Sequence, residues 1–178
     1  VFDGSKPSPY VETDEPNPQS VYGASKLMGE REALEIGDAA TVVRTSWVCG
    51  AVGSNMVRTV QGLLADNRPM AFVTDQVGHP TFTADLAPAL RQLVTERVSG
   101  LVHVTNQGAV SWYEFVCEVV RLSGGDPGRV QPITTAELDP PRPAVRPANS
   151  VLDNAVWRSL GWEMLRDFRE PLAEMLAG

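Results

Sequence analysis

The hydrophobic residues follow two different patterns along the chain. Stretches in which apolar residues recur every three to four positions, as on one helix face, are separated by short β-branched or aromatic runs typical of buried strands. The predicted helices cover residues 20–36, 55–65, 84–98, 111–122, 153–160 and 165–177. The predicted strands cover residues 40–48, 70–74, 101–105 and 130–138. Helices that alternate with strands in this way predict an α/β fold with a parallel sheet.

The amino-acid composition indicates a globular protein and argues against some kinds of partner. The 178 residues are 43% hydrophobic and 21% charged, which is enough for one sizeable core. The formal net charge of −7 argues against a nucleic-acid partner, because phosphate backbones are bound by basic surfaces. No apolar run approaches the roughly 18 residues of a membrane span, and no signal peptide is visible. Cys49 and Cys117 lie in apolar stretches, so we expect buried free thiols and a cytoplasmic location.

The first candidate for chemistry is the string Tyr22-Gly23-Ala24-Ser25-Lys26. Its phenol and its ammonium lie four residues apart on a predicted helix and therefore share one face. A cation beside a tyrosine favours the phenolate by Coulomb attraction, which suits the pair to protonating a carbonyl oxygen during hydride delivery. The same spacing also occurs on solvated helix faces without any catalytic role. The spacing is therefore consistent with two interpretations, a catalytic pair and a solvated helix face.

Longer strings around this pair resemble the dTDP-4-dehydrorhamnose reductases and, more loosely, the wider extended short-chain dehydrogenases. The strings that match family blocks in the same order are VFDG (residues 1–4), YGASKLMGE (22–30), RTSWVCG (44–50), DQVGHPT (75–81), DLA (85–87), SWYEF (111–115) and RPANSVLD (146–153). R-T-S-W and R-P-x-N-S distinguish this family from the epimerases and dehydratases that share Y-x-x-x-K. Cys49 and Met56 stand where the family more often has aromatic residues.

The resemblance implies roles for individual side chains. Tyr22 would donate the proton to the C4 oxygen of a dTDP-4-ketosugar, and Lys26 would bind the nicotinamide ribose of NADPH or NADH. Trp47 would contact the deoxysugar, unless it is a core residue that packs under the following loop. Arg44 and Arg146 would contact the diphosphate, although each could equally form a structural ion pair. The further substrate-binding candidates are Asn55, Gln76, Thr81 and Asn149.

The resemblance also implies a domain organisation. Residues 1–50 would form the C-terminal part of an NAD(P)-binding Rossmann-like domain, and residues 51–178 mainly a smaller substrate-binding lobe whose strands return to the sheet. The chain opens without Met on VFDG and contains no glycine-rich β-α turn for a pyrophosphate, so we expect that an N-terminal half of the same protein is missing. The partial parallel sheet would then have an open edge. A homodimer is a further expectation.

A metal site is not expected from the residues. His79 and His103 have no carboxylate or cysteine at ligand spacing, which favours structural roles. The acidic residues between Glu12 and Glu15 lie among prolines, where loop carboxylates are usually solvated. Some members of the family hold a divalent cation at a dimer contact, but its ligands cannot be mapped onto this sequence.

Three functions follow from these patterns. The first is reduction of dTDP-4-dehydro-6-deoxy-L-mannose to dTDP-L-rhamnose by NAD(P)H in the parent protein. The second is reduction of another dTDP-4-ketosugar. The third is a non-catalytic nucleotide-sugar-binding or regulatory subunit of the same fold. An intact Tyr22 and Lys26 favour catalysis.

Overall fold

The computed structural model describes residues 1–37 and 40–178, and within these residues it contains six α-helices and eight short strands. The helices are α1 (Val21–Leu34), α2 (Met56–Ala65), α3 (Thr83–Thr95), α4 (Trp112–Leu122), α5 (Ala155–Ser159) and α6 (Arg169–Ala177). The strands are β1 (Thr41–Arg44), β2 (Val48–Cys49), β3 (Met70–Val73), β4 (Val77–Gly78), β5 (Thr81–Phe82), β6 (Gly100–His103), β7 (Val110–Ser111) and β8 (Val130–Ile133). The predicted α/β class is confirmed.

The strands associate in pairs. Parallel pairs join β1 with β6, β2 with β5 and β3 with β8, whereas β4 and β7 are antiparallel. An isolated parallel bridge between Tyr10 and Leu152 adds a further link between the two ends of the chain. In the β1–β6 pair the N–H of His103 donates to the Glu12 carboxylate at 3.0 Å, so a side chain satisfies that donor. The division at residue 50 stays a prediction.

Helix starts follow local capping rules. The hydroxyl of Ser20 accepts a hydrogen bond from the Gly23 N–H and caps α1, and the side chain of Asn55 does the same for α2. Ser111 and Glu114 form a reciprocal capping box at α4. The last two helices are shorter than predicted, because the segment between them is irregular. The described helices include none with the length and apolar character that a membrane crossing requires.

The strand predicted over residues 40–48 is interrupted, which corrects the sequence-based expectation. Trp47 has a φ of 44°, in the left-handed region that strands do not use, and it separates β1 from β2. The Trp47 ring stacks on Trp112 with centroids 3.7 Å apart. This stacking accounts for the turn, since it directs the indole toward α4 rather than across a continuous strand.

Two principal cores hold the elements together. The first is centred on Phe115 and Phe168 between α2, α4 and α6, and the second contains Leu93, Val102 and Trp157. The predicted free thiols are present, but only Cys49 is buried, while Cys117 is half-buried. Burial raises the pKa of the Cys49 thiol to about 11.

Helix α1 departs from its predicted packing. Val21, Met28 and Ile36 are apolar residues of the helix predicted over residues 20–36, and such residues are expected on the buried side of an amphipathic helix. They are instead 89%, 64% and 73% exposed, and Ile36 lies beyond the end of α1. Gly23 is the buried residue of this helix, and it lies against Pro18. Helix α1 therefore contacts the rest of the described chain along a narrow side, and Tyr22 lies on its open surface.

Candidate active site

The residues that the sequence singled out for chemistry lie together on α1. Tyr22 is 72% exposed, and the ammonium of Lys26 lies 5.4 Å from the centre of its ring. Both residues line a cavity of about 410 Å³, the Tyr22 cavity, whose lining also includes Phe2, Val43 and Ser150. The phenol and the ammonium therefore face the same space, as their spacing predicted.

A buried ion pair fixes the position of α1. Glu30 lies four residues after Lys26, a spacing at which an acid and a base can pair on a helix. Instead, both carboxylate oxygens of Glu30 accept hydrogen bonds from Arg44, at 3.0 Å from Nε and 2.7 Å from an Nη atom. The guanidinium also lies over the ring of Phe2 at 4.9 Å. Arg44 thus ties α1 to β1, and within the described residues Lys26 forms no ion pair.

A second cavity lies beside the end of β3. It has a volume of about 270 Å³ and is called the Gln76 cavity; it is lined by Met56, Ala71, Phe72, Val73, Gln76, Trp112, Leu138, Arg142 and Arg146. Its apolar side chains surround a small set of polar groups, which is the composition of ligand sites. In the part of the chain that the structure describes, Arg142 and Arg146 have no acidic partner. The cavity therefore offers two cations beside an apolar recess.

Arg146 connects this second site with α1. It also lines a cavity of about 320 Å³, the Arg146 cavity, which it shares with Tyr22, Gly23 and Val145. A ligand that reaches from Tyr22 to the Gln76 cavity would pass Arg146. This arrangement suits an elongated ligand with an anionic middle section.

Trp47 is placed differently from the simplest expectation. One face of its indole is covered by Trp112, and its edge lies so close to Gly78 that a Cβ there would be 2.7 Å from the ring. It packs against the first core and does not belong to the lining of the three cavities described above. In this structure Trp47 is therefore a packed side chain, which was the second of the two expectations for this residue.

Three further substrate-binding candidates from the sequence have structural roles. Asn55 caps α2 and donates to the Gly50 carbonyl at 2.8 Å, and Thr81 is fully buried in β5. Asn149 lines the Tyr22 cavity, but its amide donates to the carbonyls of Lys6 and Ser8 at 2.7 and 3.1 Å. These three side chains shape the site through the segments they fix.

The histidines and the acidic loop also have structural partners. Burial lowers the pKa of His79 to about 4, and its Nδ1 lies 3.2 Å from the Thr105 hydroxyl. The expectation of a solvated acidic loop was wrong for Glu12, which is 8% exposed, because it accepts hydrogen bonds from two backbone N–H groups. Across residues 1–37 and 40–178, no three His, Cys, Asp or Glu side chains are grouped to share a metal ion, so the divalent cation gains no ligands there.

Three residues at these cavities were not identified from the sequence. Glu30 could have been noticed from its spacing to Lys26, but its pairing with Arg44 depends on tertiary structure. Trp112 lies within the SWYEF string and Arg142 within a proline-rich passage. Neither position has a local pattern that distinguishes a cavity residue from a surface residue.

The Tyr22 cavity fits part of a nicotinamide cofactor. An ammonium without an acidic partner can donate to ribose hydroxyls, and the phenol beside it remains open. Phe2 and Val43 supply apolar surface next to these groups. The residues that would hold the nicotinamide end are therefore Tyr22 and Lys26.

Comparisons with known proteins identify the family of this chain. The family model described as "RmlD substrate binding domain" matches residues 1–178. A Streptomyces griseus protein named dTDP-4-dehydrorhamnose reductase is 43% identical over 98% of this chain, and a Streptomyces niveus protein named dTDP-4-keto-6-deoxy-D-glucose reductase is 35% identical over 98%. A crystal structure of a Bacillus anthracis dTDP-4-dehydrorhamnose reductase in complex with NADP is 32% identical, covers 99% of this chain and superposes with a TM-score of 0.93.

The matched proteins are longer than this chain. It spans 59% of the Streptomyces griseus protein, 60% of the Streptomyces niveus protein and 62% of the Bacillus anthracis chain. This chain therefore corresponds to roughly three fifths of each of these proteins.

Proposed function

The chain belongs to the RmlD substrate-binding-domain family, and we propose that the protein containing it reduces dTDP-4-dehydro-6-deoxy-L-mannose to dTDP-L-rhamnose with NAD(P)H. The observation that carries the proposal is that Tyr22 and Lys26 face one cavity from one side of α1. The nucleotide-sugar relatives add support, because their names include this reduction.

The chemistry that the cofactor supplies when bound is a hydride for C4 of the sugar. Tyr22 donates the proton to the C4 oxygen, since its phenol is the exposed acid of the cavity. Lys26 donates hydrogen bonds to ribose hydroxyls and stabilises the phenolate that remains. Arg44 keeps the Glu30 carboxylate away from Lys26 and fixes the helix that carries both groups. We therefore assign Arg44 a positioning role instead of a diphosphate contact.

The dTDP part of the substrate is assigned to the Arg146 and Gln76 cavities. Arg146 lines both cavities, and Tyr22 also lines the Arg146 cavity, which supports a contact between the Arg146 guanidinium and the diphosphate. Arg142 adds a second cation, and Trp112 with Phe72 supplies apolar surface for the base. Trp47 would support this site by packing against Trp112.

The test is an NADPH-oxidation assay of the full-length protein with dTDP-4-dehydro-6-deoxy-L-mannose. Tyr22→Phe is expected to lower kcat by about 10²–10⁴-fold, the usual contribution of a positioned acid. Tyr113→Phe is the matched control, because Tyr113 is half-buried on α4 and lines none of the three cavities. Equal activity of Tyr22→Phe and wild type would remove Tyr22 from the mechanism. An inactive wild type that still binds dTDP would favour the non-catalytic binding role.

A second candidate is reduction of another dTDP-4-ketosugar. The Streptomyces niveus relative, named for a different 4-keto-6-deoxy sugar, covers the same 98% of this chain. Comparing kcat/KM for the two ketosugars distinguishes the candidates, and the larger value identifies the substrate.

We further propose three properties of the parent protein. The parent protein carries an N-terminal half that completes the cofactor site, acts in the cytoplasm and forms a homodimer. Mass spectrometry of the natural protein tests its length, and sedimentation equilibrium tests the dimer.

A further inference from the structure

A chain of hydrogen bonds fixes the amide of Gln76 in one orientation. The Thr135 hydroxyl donates to the Asp75 carboxylate at 2.8 Å, so its one proton cannot be donated to another acceptor. The same hydroxyl oxygen lies 2.9 Å from the Gln76 amide and can only accept there. The group of Gln76 that meets Thr135 must therefore be its NH₂.

Asp75 holds Thr135 firmly in this arrangement. Both of its carboxylate oxygens also accept from the Thr135 backbone N–H, at 3.0 and 2.9 Å. A carboxylate has no proton to donate, so the direction of the chain from Gln76 through Thr135 to Asp75 cannot reverse. The donor and acceptor capacities of Asp75 and Thr135 therefore fix the orientation of the Gln76 amide.

The carbonyl oxygen of Gln76 is the atom left for a ligand. Gln76 is 5% exposed and lines the Gln76 cavity, and within the described residues its Oε1 accepts no hydrogen bond. A ligand donor can therefore form a hydrogen bond with this oxygen without displacing a protein donor. The Gln76 cavity therefore presents one oriented acceptor among apolar side chains.

We propose that Gln76 is the specificity-determining residue for the base, accepting a hydrogen bond from the imide N3–H of a thymine or uracil in the Gln76 cavity. This inference rests on the proposed function, in which that cavity receives the base. Cytosine has a lone pair at N3 in place of the N–H, so it would oppose the Gln76 oxygen. Asp75 and Thr135 are positioning residues because they act through Gln76.

Binding of dUDP and dCDP to the full-length protein tests the inference by calorimetry. Neither base carries the C5 methyl group, so the comparison isolates the imide. Wild type is expected to bind dUDP about tenfold more tightly than dCDP, since one hydrogen bond is lost and two lone pairs oppose each other when cytosine replaces uracil. Gln76→Met should bring the two dissociation constants to within about threefold of each other. An unchanged ratio in folded Gln76→Met would overturn the inference.

Variants of Thr135 test the orientation itself. Thr135→Val removes the acceptor that holds the NH₂ group, so the amide can turn and the preference for dUDP should fall several-fold. Thr135→Ser keeps the hydroxyl and should retain the wild-type ratio. If Thr135→Val also retains that ratio, the positioning role is refuted.

Controls separate this inference from the proposed function. Gln131→Met makes the same change at an exposed position on β8, outside the lining of the Gln76 cavity, and should leave the ratio unchanged. If folded wild type binds neither dTDP nor dUDP, the proposed function fails together with this inference. If dTDP binds and is reduced as its ketosugar while Gln76→Met keeps its preference, only the inference about Gln76 fails.

Discussion

Glu12 is expected to be one of the most important side chains for stability outside the two cores. Its Oε1 accepts from the backbone N–H of His103 at 3.0 Å and from that of Val156 at 3.1 Å, and so links the loop before α1 to β6 and α5. Each donor left unsatisfied costs about 1–3 kcal/mol. Glu12→Ala removes both bonds, but it also removes the buried Oε2, which has no hydrogen-bond partner within the described residues. The expected net loss is about 2–4 kcal/mol.

Glu12→Gln separates the hydrogen bonds from the charge. Glutamine keeps an oxygen at the same position, so both N–H groups can remain paired, and the free energy of unfolding should change by less than about 1 kcal/mol. Urea unfolding at pH 7 measures both variants, with an unchanged m-value as the check on two-state behaviour. Glu15→Ala is the control, because Glu15 is exposed in the same loop and should change stability by no more than about 0.5 kcal/mol. A Glu12→Ala protein within about 1 kcal/mol of wild type, or a Glu12→Gln protein as unstable as Glu12→Ala, would refute the reasoning.

Three further predictions follow from local structure. Gly78→Ala should destabilise the protein by about 1–3 kcal/mol, because the new Cβ would lie 2.7 Å from the Trp47 ring. Gly62→Ala in α2 should instead stabilise the protein by about 0.5–1 kcal/mol, because the new Cβ meets nothing within 4 Å. Thermal unfolding measures both variants against wild type. Cys49 should remain unlabelled by iodoacetamide at pH 8 in the folded protein, since burial raises its thiol pKa to about 11, and fast labelling without unfolding would contradict this. Burial lowers the pKa of His79 to about 4, below its usual 6.5, so between these two pH values the unfolded state binds a proton that the folded state does not. The free energy of unfolding therefore falls as the pH drops from about 6.5 to 4. His79→Gln should reduce this fall by up to about 3 kcal/mol in a measured stability–pH curve.

The sequence predicted the long helices well because their signals are local. Capping side chains at Ser20, Asn55 and Ser111 lie next to the segments they start. The strands β4, β5 and β7 were missed because each has two residues, too few to show a period. The break at Trp47 was missed because its stacking partner, Trp112, is far away along the chain.

The candidate site was predictable only in part. Helical spacing was sufficient to bring Tyr22 and Lys26 to one cavity. The same periodicity predicted an apolar side for α1, but it could not say what covers that side, and Met28 is exposed. Pairing of Arg44 with Glu30 required the three-dimensional arrangement of α1 against β1, so the sequence left its role open between ligand contact and ion pair.

The four tryptophans form two pairs, and each pair belongs to a different core. Trp47 and Trp112 stack at 3.7 Å against the first core, while Trp157 and Trp162 meet edge to face at 4.7 Å in the second. Indoles this close couple their electronic transitions, so each core carries its own circular-dichroism chromophore. Removing one indole from either pair would silence that optical signal alone. Comparing variants that lack one indole of either pair would therefore show whether the two cores unfold together or one after the other.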